Sequence, residues 1–235
     1  MNIAIIQSRM GSHRLPRKMT KKIGNYSLIE WVIRRLKKTK SLNKIILATS
    51  EKKKDKIFKK ISQKFKINFF AGKEKDVLGR FVDSMSRIKK ANVIRVCADN
   101  PFIDPKQIDL LISFYNKNNF DYVCNHQNRI NSKYADGFGA EILSLDLLRK
   151  LDRLVLKKEY REHVTLYIWK NKKKFKIHSI KADKKLAYPK LKFDIDTLED
   201  LKKIKNLVKK FNINIKTKAE EIIKYRLREI TKKNI

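Results

Sequence analysis

Disulfide chemistry is all but missing from this chain. Cys97 and Cys124 are its only cysteines, too few for a disulfide framework or a zinc site. Each closes an apolar run, so both read as buried, reduced thiols. Glycine and proline are scarce as well, at 6 and 4 of 235 residues. No linker, internal repeat or glycine-rich P-loop is visible. No window approaches the roughly 18 consecutive apolar residues of a membrane span. The segment Asn2 to Ile6 is too short for the apolar part of a signal peptide, and Arg9 follows at once. The expectation is a cytoplasmic protein without membrane association. Negative charge is the remaining shortage: 24 acidic residues stand against 59 basic ones, a net charge of +35.

Such a surplus raises nucleic-acid binding as a reading. Arginine, however, supplies only 14 of the 59 basic residues, and the lysines are spread over nearly every helical segment. No RNA- or DNA-binding motif accompanies them. A solvated basic surface is expected, one whose field attracts anions.

What the chain does have is core material, 42% hydrophobic, arranged in alternating strand and helix signals. Apolar runs at 2–7, 44–49, 67–71, 92–97 and 121–124 predict buried strands. Ser27 and Glu30 predict a capping box ahead of Leu28, Ile29, Val32, Ile33 and Leu36. Ile57, Ile61 and Phe65 mark the next helix, and a stripe from Val77 to Ile88 the one after. Asp104-Pro105 opens another. Beyond residue 125 the rhythm changes. A polar stretch at 126–143 precedes helices at 144–152 and 158–171, a strand at 175–181 and a final buried strand at 191–195. Thr197 with Asp200 caps a helix at 197–210, and 218–230 is amphipathic. The pattern predicts one α/β domain over 1–235, a parallel sheet covered on both faces, with an inserted flap near 126–190.

Ligands of such sheets lie beyond the carboxyl ends of the strands. That rule gathers the loop 8–18, Thr49-Ser50, Asp99-Asn100 and Asp196. In the loop, Gly11 permits a tight turn, and Arg9, Arg14 and Lys18 can neutralise a polyphosphate. A basic surface loop fits the same residues. Asp99, closing a buried strand before Pro101, suits a hard cation such as Mg²⁺ or a turn cap. Asp196 serves equally as a metal ligand or at a helix start. Together, Asp99 and Asp196 can clamp one metal against phosphate oxygens.

The segment Ile5 to Lys18 resembles the cytidylyltransferases that activate acidic sugars, the acylneuraminate and 3-deoxy-manno-octulosonate type. It is similar in particular to the branch named for spore-coat polysaccharide protein F. Further matches fall in family order at 46–50, 76–81, 98–101, 134–137, 160–165 and 196–200. The resemblance implies a Rossmann-like α/β/α sandwich of the nucleotide-diphospho-sugar transferase type. It implies CTP and an acidic sugar as substrates, CMP-sugar and pyrophosphate as products, Mg²⁺ at Asp99 and Asp196, and a homodimer formed through 126–190. Arg9, Gly11, Ser12, Arg14 and Lys18 match triphosphate positions. Thr49, Ser50, Leu78 and Arg80 match positions near the cytosine and ribose. Asp136, Arg161, Glu162 and His163 match sugar contacts. Arg9 and Lys18 join the two aspartates as the catalytic set. The chain departs from the pattern at His13, where threonine is frequent, at Arg17 for glycine, at Gly139 for aspartate and at Leu198 for proline. A metal-dependent glycosyltransferase, with Asp194-Ile195-Asp196 as its Asp-x-Asp signature, and a non-catalytic nucleic-acid binder are the rival readings.

Overall fold

Strand β1 (Asn2–Gln7) sets the plan of the molecule. Its side chains alternate between two cores. Ala4 and Ile6 enter one hydrophobic cluster, Ile3 and Ile5 the other. The same alternation splits Leu47 from Ile46 and Ala48, and Ile94 and Val96 from Val93. A strand buried on both faces needs helices on both sides, and the chain supplies them.

The computed structural model describes residues 1–231. After β1 come a short hairpin of β2 (Lys22–Ile23) and β3 (Tyr26–Ser27), then α1 (Leu28–Leu36), β4 (Lys44–Ser50), α2 (Ile57–Phe65), β5 (Asn68–Gly72) and α3 (Val77–Asp83). Next are β6 (Asn92–Cys97), α4 (Pro105–Lys117), β7 (Tyr122–Cys124), β8 (Glu141–Ser144) and α5 (Leu145–Leu154). The chain continues through α6 (Lys158–Glu162), α7 (Leu166–Lys170), β9 (Ile177–Ser179), α8 (Leu198–Lys210) and α9 (Ala219–Thr231). The main sheet has seven strands in the order β5-β4-β1-β6-β8-β7-β9. All neighbours run parallel except at β8, which is antiparallel to both β6 and β7. Helices α1, α2, α4, α8 and α9 cover one face, and α3, α5 and α7 the other. This is a Rossmann-like α/β sandwich. Among the described residues no helix is long and apolar enough to cross a membrane.

Local signals in the sequence account for the helix starts. Ser27 and Glu30 form the expected capping box, as do Thr197 and Asp200. Asp104 caps α4 through the Lys106 N–H, with Pro105 in the first turn.

Three expectations need correction. The stretch 191–195 is extended but forms no strand; a single bridge, Asp136 to Lys192, joins it to the rest. Backbone bonds from Phe193 to Asp136 O and from Ile195 to Asp99 O hold it instead. In α2 the inward positions are Phe58, Ser62 and Phe65, and Ile57 is exposed. The helix predicted over 158–171 breaks into α6 and α7 at His163, whose backbone is not helical. Residues 126–190 contribute β8 and β9, and β8 lies inside the sheet.

Candidate active site

The carboxyl ends of β1 and β6 are neighbours, with Gln7 opposite Cys97. The chain leaves β1 there as a loop that runs to Lys18. Buried Asp55 anchors this loop: its carboxylate accepts the Met10 N–H at 2.7 Å and the Ser50 hydroxyl. Ser12 Oγ accepts the Leu15 N–H, and Leu15 is buried beneath. Asp55 was not legible as a site-building residue, because it lies in a lysine-rich run with no motif around it.

The loop's turn is made differently from expectation. Among the loop residues, the left-handed conformation falls on Arg17, at φ 56°, and not on Gly11. Gly11 gives room to a neighbour: a Cβ there would lie 2.7 Å from Lys54 Nζ.

Between the loop and the sheet lies a cavity of about 380 Å³. Arg9, Gly11, Ser12, Arg14, Lys18, Arg80, Asp99, Glu162, His163 and Asp196 all line it, so most of the expected site converges there. Lys18, largely buried, is the hub. Its ammonium stands 3.2 Å from Asp99 Oδ2 and 3.2 Å from Asp196 Oδ1, and donates to Ile195 O at 2.9 Å. Arg14 reaches the other oxygen of Asp196 at 2.8 Å, and Arg9 pairs with Glu162 at 3.2 Å. Asp99 and Asp196 are each about a third open to the cavity, at 30% and 28%.

No group of three or more His, Cys, Asp or Glu among the described residues is arranged as a metal cage. Two carboxylates meeting at one ammonium nonetheless suit Mg²⁺, which is usually held by one or two carboxylates with phosphate oxygens and water completing its shell.

Five expected contacts are not brought to the cavity. Thr49 is fully buried, and Ser50 is engaged with Asp55 beneath the loop. Leu78 packs in the core under α3. Arg161 forks onto Asp76 at 2.9 Å through two nitrogens and also holds Asp152 and two backbone carbonyls. It fastens α6 to the start of α3. Asp136 sits near Asp194, accepts from Gln127 at 3.3 Å, and burial pushes its carboxyl up to about 6.

Among the further residues that line the cavity are Cys97 and Arg95. Burial pushes the Cys97 thiol up to about 12, which disfavours the thiolate. Arg95, in the middle of β6, lies on the same side two residues earlier. A charge inside an apolar strand carries no motif, which is why it went unseen. Gly139 has no room for a side chain: a Cβ there would overlap the backbone and side-chain oxygens of Asn125.

Comparison with known proteins agrees with this geometry. The spore coat polysaccharide biosynthesis protein SpsF of Bacillus subtilis is 33% identical over 226 residues, covering 93% of this chain and 91% of that protein. A cytidylyltransferase structure from Leptospira borgpetersenii superposes with a TM-score of 0.87 at 29% identity, covering 100% of this chain and 95% of the other. A CMP:2-keto-3-deoxy-manno-octonic acid synthetase solved with CTP shares the fold, with a TM-score of 0.68 at 16% identity over 90% of this chain and all of the other. Residues 3–228 match the family model described as Cytidylyltransferase, and the chain belongs to that family of CTP-dependent nucleotidyltransferases.

Proposed function

We propose that this enzyme transfers CMP from CTP to an acidic sugar of the nonulosonic type, releasing pyrophosphate, with Mg²⁺ as its cofactor. The observation that carries the reading is the meeting of Lys18, Asp99 and Asp196 at the wall of a cavity whose other wall is a basic loop. Supporting it are the family and the polysaccharide role in the name of the SpsF relative.

The reaction is an in-line displacement. The sugar's anomeric hydroxyl oxygen forms a bond to the α-phosphorus and passes its proton to water, while the bond from that phosphorus to the β-phosphate bridging oxygen breaks and pyrophosphate leaves with that oxygen. Little covalent work falls to the protein; positioning and charge stabilisation dominate. Arg9, Arg14 and Lys18 hold the triphosphate and face the charge that develops on it. The backbone at Gly11 and Ser12 lets the phosphates approach the loop closely. Asp99 and Asp196 would hold the metal, which would supply Lewis-acid stabilisation of the phosphate oxygens. Glu162 keeps Arg9 aimed across the cavity, and His163 stands beside it.

The test is a pyrophosphate-release screen pairing CTP and the other nucleoside triphosphates with a panel of acidic and neutral sugars. Release with CTP and an acidic sugar only is expected. Release with neutral sugars alone, or sugar transfer from a nucleotide-sugar without pyrophosphate, overturns the reading.

A further inference from the structure

Arg95 occupies a place where a cation is costly. It lies inside β6, on the face shared with Val93 and Cys97, with a side chain only 17% exposed. Its register partners are Ile5 of β1 and Glu141 of β8. That sets it two residues deeper than the Gln7–Cys97 pair from which the basic loop departs, on the cavity floor.

The surroundings of Glu141 explain how the charge is kept, and why it is not cancelled. Glu141 is fully buried and accepts from Arg95 Nη1 at 2.6 Å and from the Tyr122 hydroxyl at 2.6 Å. His126 Nε2 lies 3.1 Å away, and the Thr165 hydroxyl contacts both carboxylate oxygens at 3.2 Å. One negative charge is thus shared among four groups. Arg95 receives only part of it, and its Nε is buried without a hydrogen-bond partner among the described residues. A guanidinium has five N–H donors in a fixed fork, and leaving such donors unmet in an interior is expensive. The arrangement holds Arg95 rigid, charged and incompletely satisfied at the bottom of a cavity, which is how a planar anion is recognised.

Other cations in the cavity have different tasks. Lys18 stands on Asp99 and Asp196, Arg14 on Asp196 and Arg9 on Glu162, while Arg80, whose Nε is also buried without a partner among the described residues, is turned to the carbonyls of Lys73 and Glu74. Those on the loop match the triphosphate. We infer that Arg95 is the specificity residue that binds the carboxylate of the acceptor sugar, with Glu141 as its positioning residue. The inference rests on the acidic-sugar reading above and deepens it.

The experiment compares N-acetylneuraminate and 3-deoxy-manno-octulosonate with their methyl esters, in the unmodified enzyme and in Arg95→Gln. In the variant, KM for the free acid rises roughly 10- to 100-fold, the effect of losing a charge-assisted hydrogen bond. The preference for acid over ester is lost, and CTP affinity by calorimetry stays within about twofold of the unmodified enzyme, because no substrate contact of the nucleotide is removed. The paired variant Arg95→Met with Glu141→Gln removes both charges together, which a buried site tolerates better than one alone. It gives the same loss of preference if Arg95→Gln fails to fold. An unchanged acid-to-ester ratio in either folded variant, or a loss of CTP affinity equal to the loss for sugar, overturns the assignment. If the unmodified enzyme turns over neither acid, or only neutral sugars, the acidic-sugar reading fails first and the Arg95 assignment falls with it.

Discussion

Lys18 and Asp99 lie 81 residues apart in the chain, yet their charged atoms are 3.2 Å apart at the cavity wall. Asp196 completes the group from the opposite end of the molecule, at the same distance from the same ammonium. Arg14 takes the other oxygen of Asp196 at 2.8 Å, so two cations face the two carboxylates. The first prediction concerns the Mg²⁺ proposed for these aspartates. Alanine at Asp99 or at Asp196 lowers turnover at least ~100-fold with the fold intact, measured as pyrophosphate release at saturating Mg²⁺ alongside circular dichroism. Lys18→Met leaves the carboxylates facing each other, so Mg²⁺ raises its melting temperature by a few degrees more than it does for the unmodified enzyme, at about 2–4 °C per kcal/mol. Equal shifts in both proteins argue against a metal between these aspartates.

Arg17 holds a left-handed backbone at φ 56° and ψ 28°. A side chain there costs about 1–2 kcal/mol, offset in part by the extra unfolded-state freedom of glycine. Arg17→Gly therefore stabilises by up to about 1 kcal/mol, read from urea unfolding. Arg17→Val, branched at Cβ, destabilises.

At Gly139 the opposite holds. Gly139→Ala presses a methyl group into the Asn125 carbonyl and lowers stability by about 3 kcal/mol or more. Gly139→Asp, which restores the residue common in relatives, is worse. A melting temperature unchanged in either variant contradicts the packing described.

Arg161 is expected to act on stability, not on sugar binding. Arg161→Ala frees α6 from Asp76 and Asp152, lowering the melting temperature. The KM for sugar in the surviving folded protein stays near its original value. A large KM rise without loss of stability restores the sugar-contact role.

Acid sensitivity follows from Glu141. Burial opposes its ionisation, but Arg95 and His126 outweigh that and hold the carboxyl well below the ordinary 4.5. A carboxyl with a lowered folded-state pKa contributes stability fully above its unfolded value and loses it as pH falls through and below about 4.5. Glu141→Gln therefore flattens the loss of stability on acidification below that point, seen by denaturant titration at a series of pH values. Glu141→Ala strands Arg95 and costs about 3–5 kcal/mol at neutral pH.

Much of this architecture was legible beforehand, and for physical reasons. Capping boxes at Ser27 and Thr197 are local, so three or four residues suffice to read them. The fully buried run in β1 announces itself by lacking polar positions. The loop and its two distant aspartates followed from the rule that parallel strands point their carboxyl ends at the ligand. What escaped depends on contacts between remote segments. Strand β8 begins with a glutamate, and the Arg95, Tyr122, His126 and Thr165 side chains make that burial tolerable. Thr49 and Ser50 sit at a strand end yet both are buried, and Asp55 draws Ser50 beneath the loop. The stretch 191–195 has the apolar pattern of a strand, but it is held by Asp99 and Asp136 at the sheet's end.

The bond from Lys18 Nζ to Ile195 O spans 177 residues. During synthesis the basic loop is made well before the segment it meets. A nascent chain that has not yet released Ile195 and Asp196 carries the loop without its second carboxylate, so this wall of the cavity cannot form until the two segments come together.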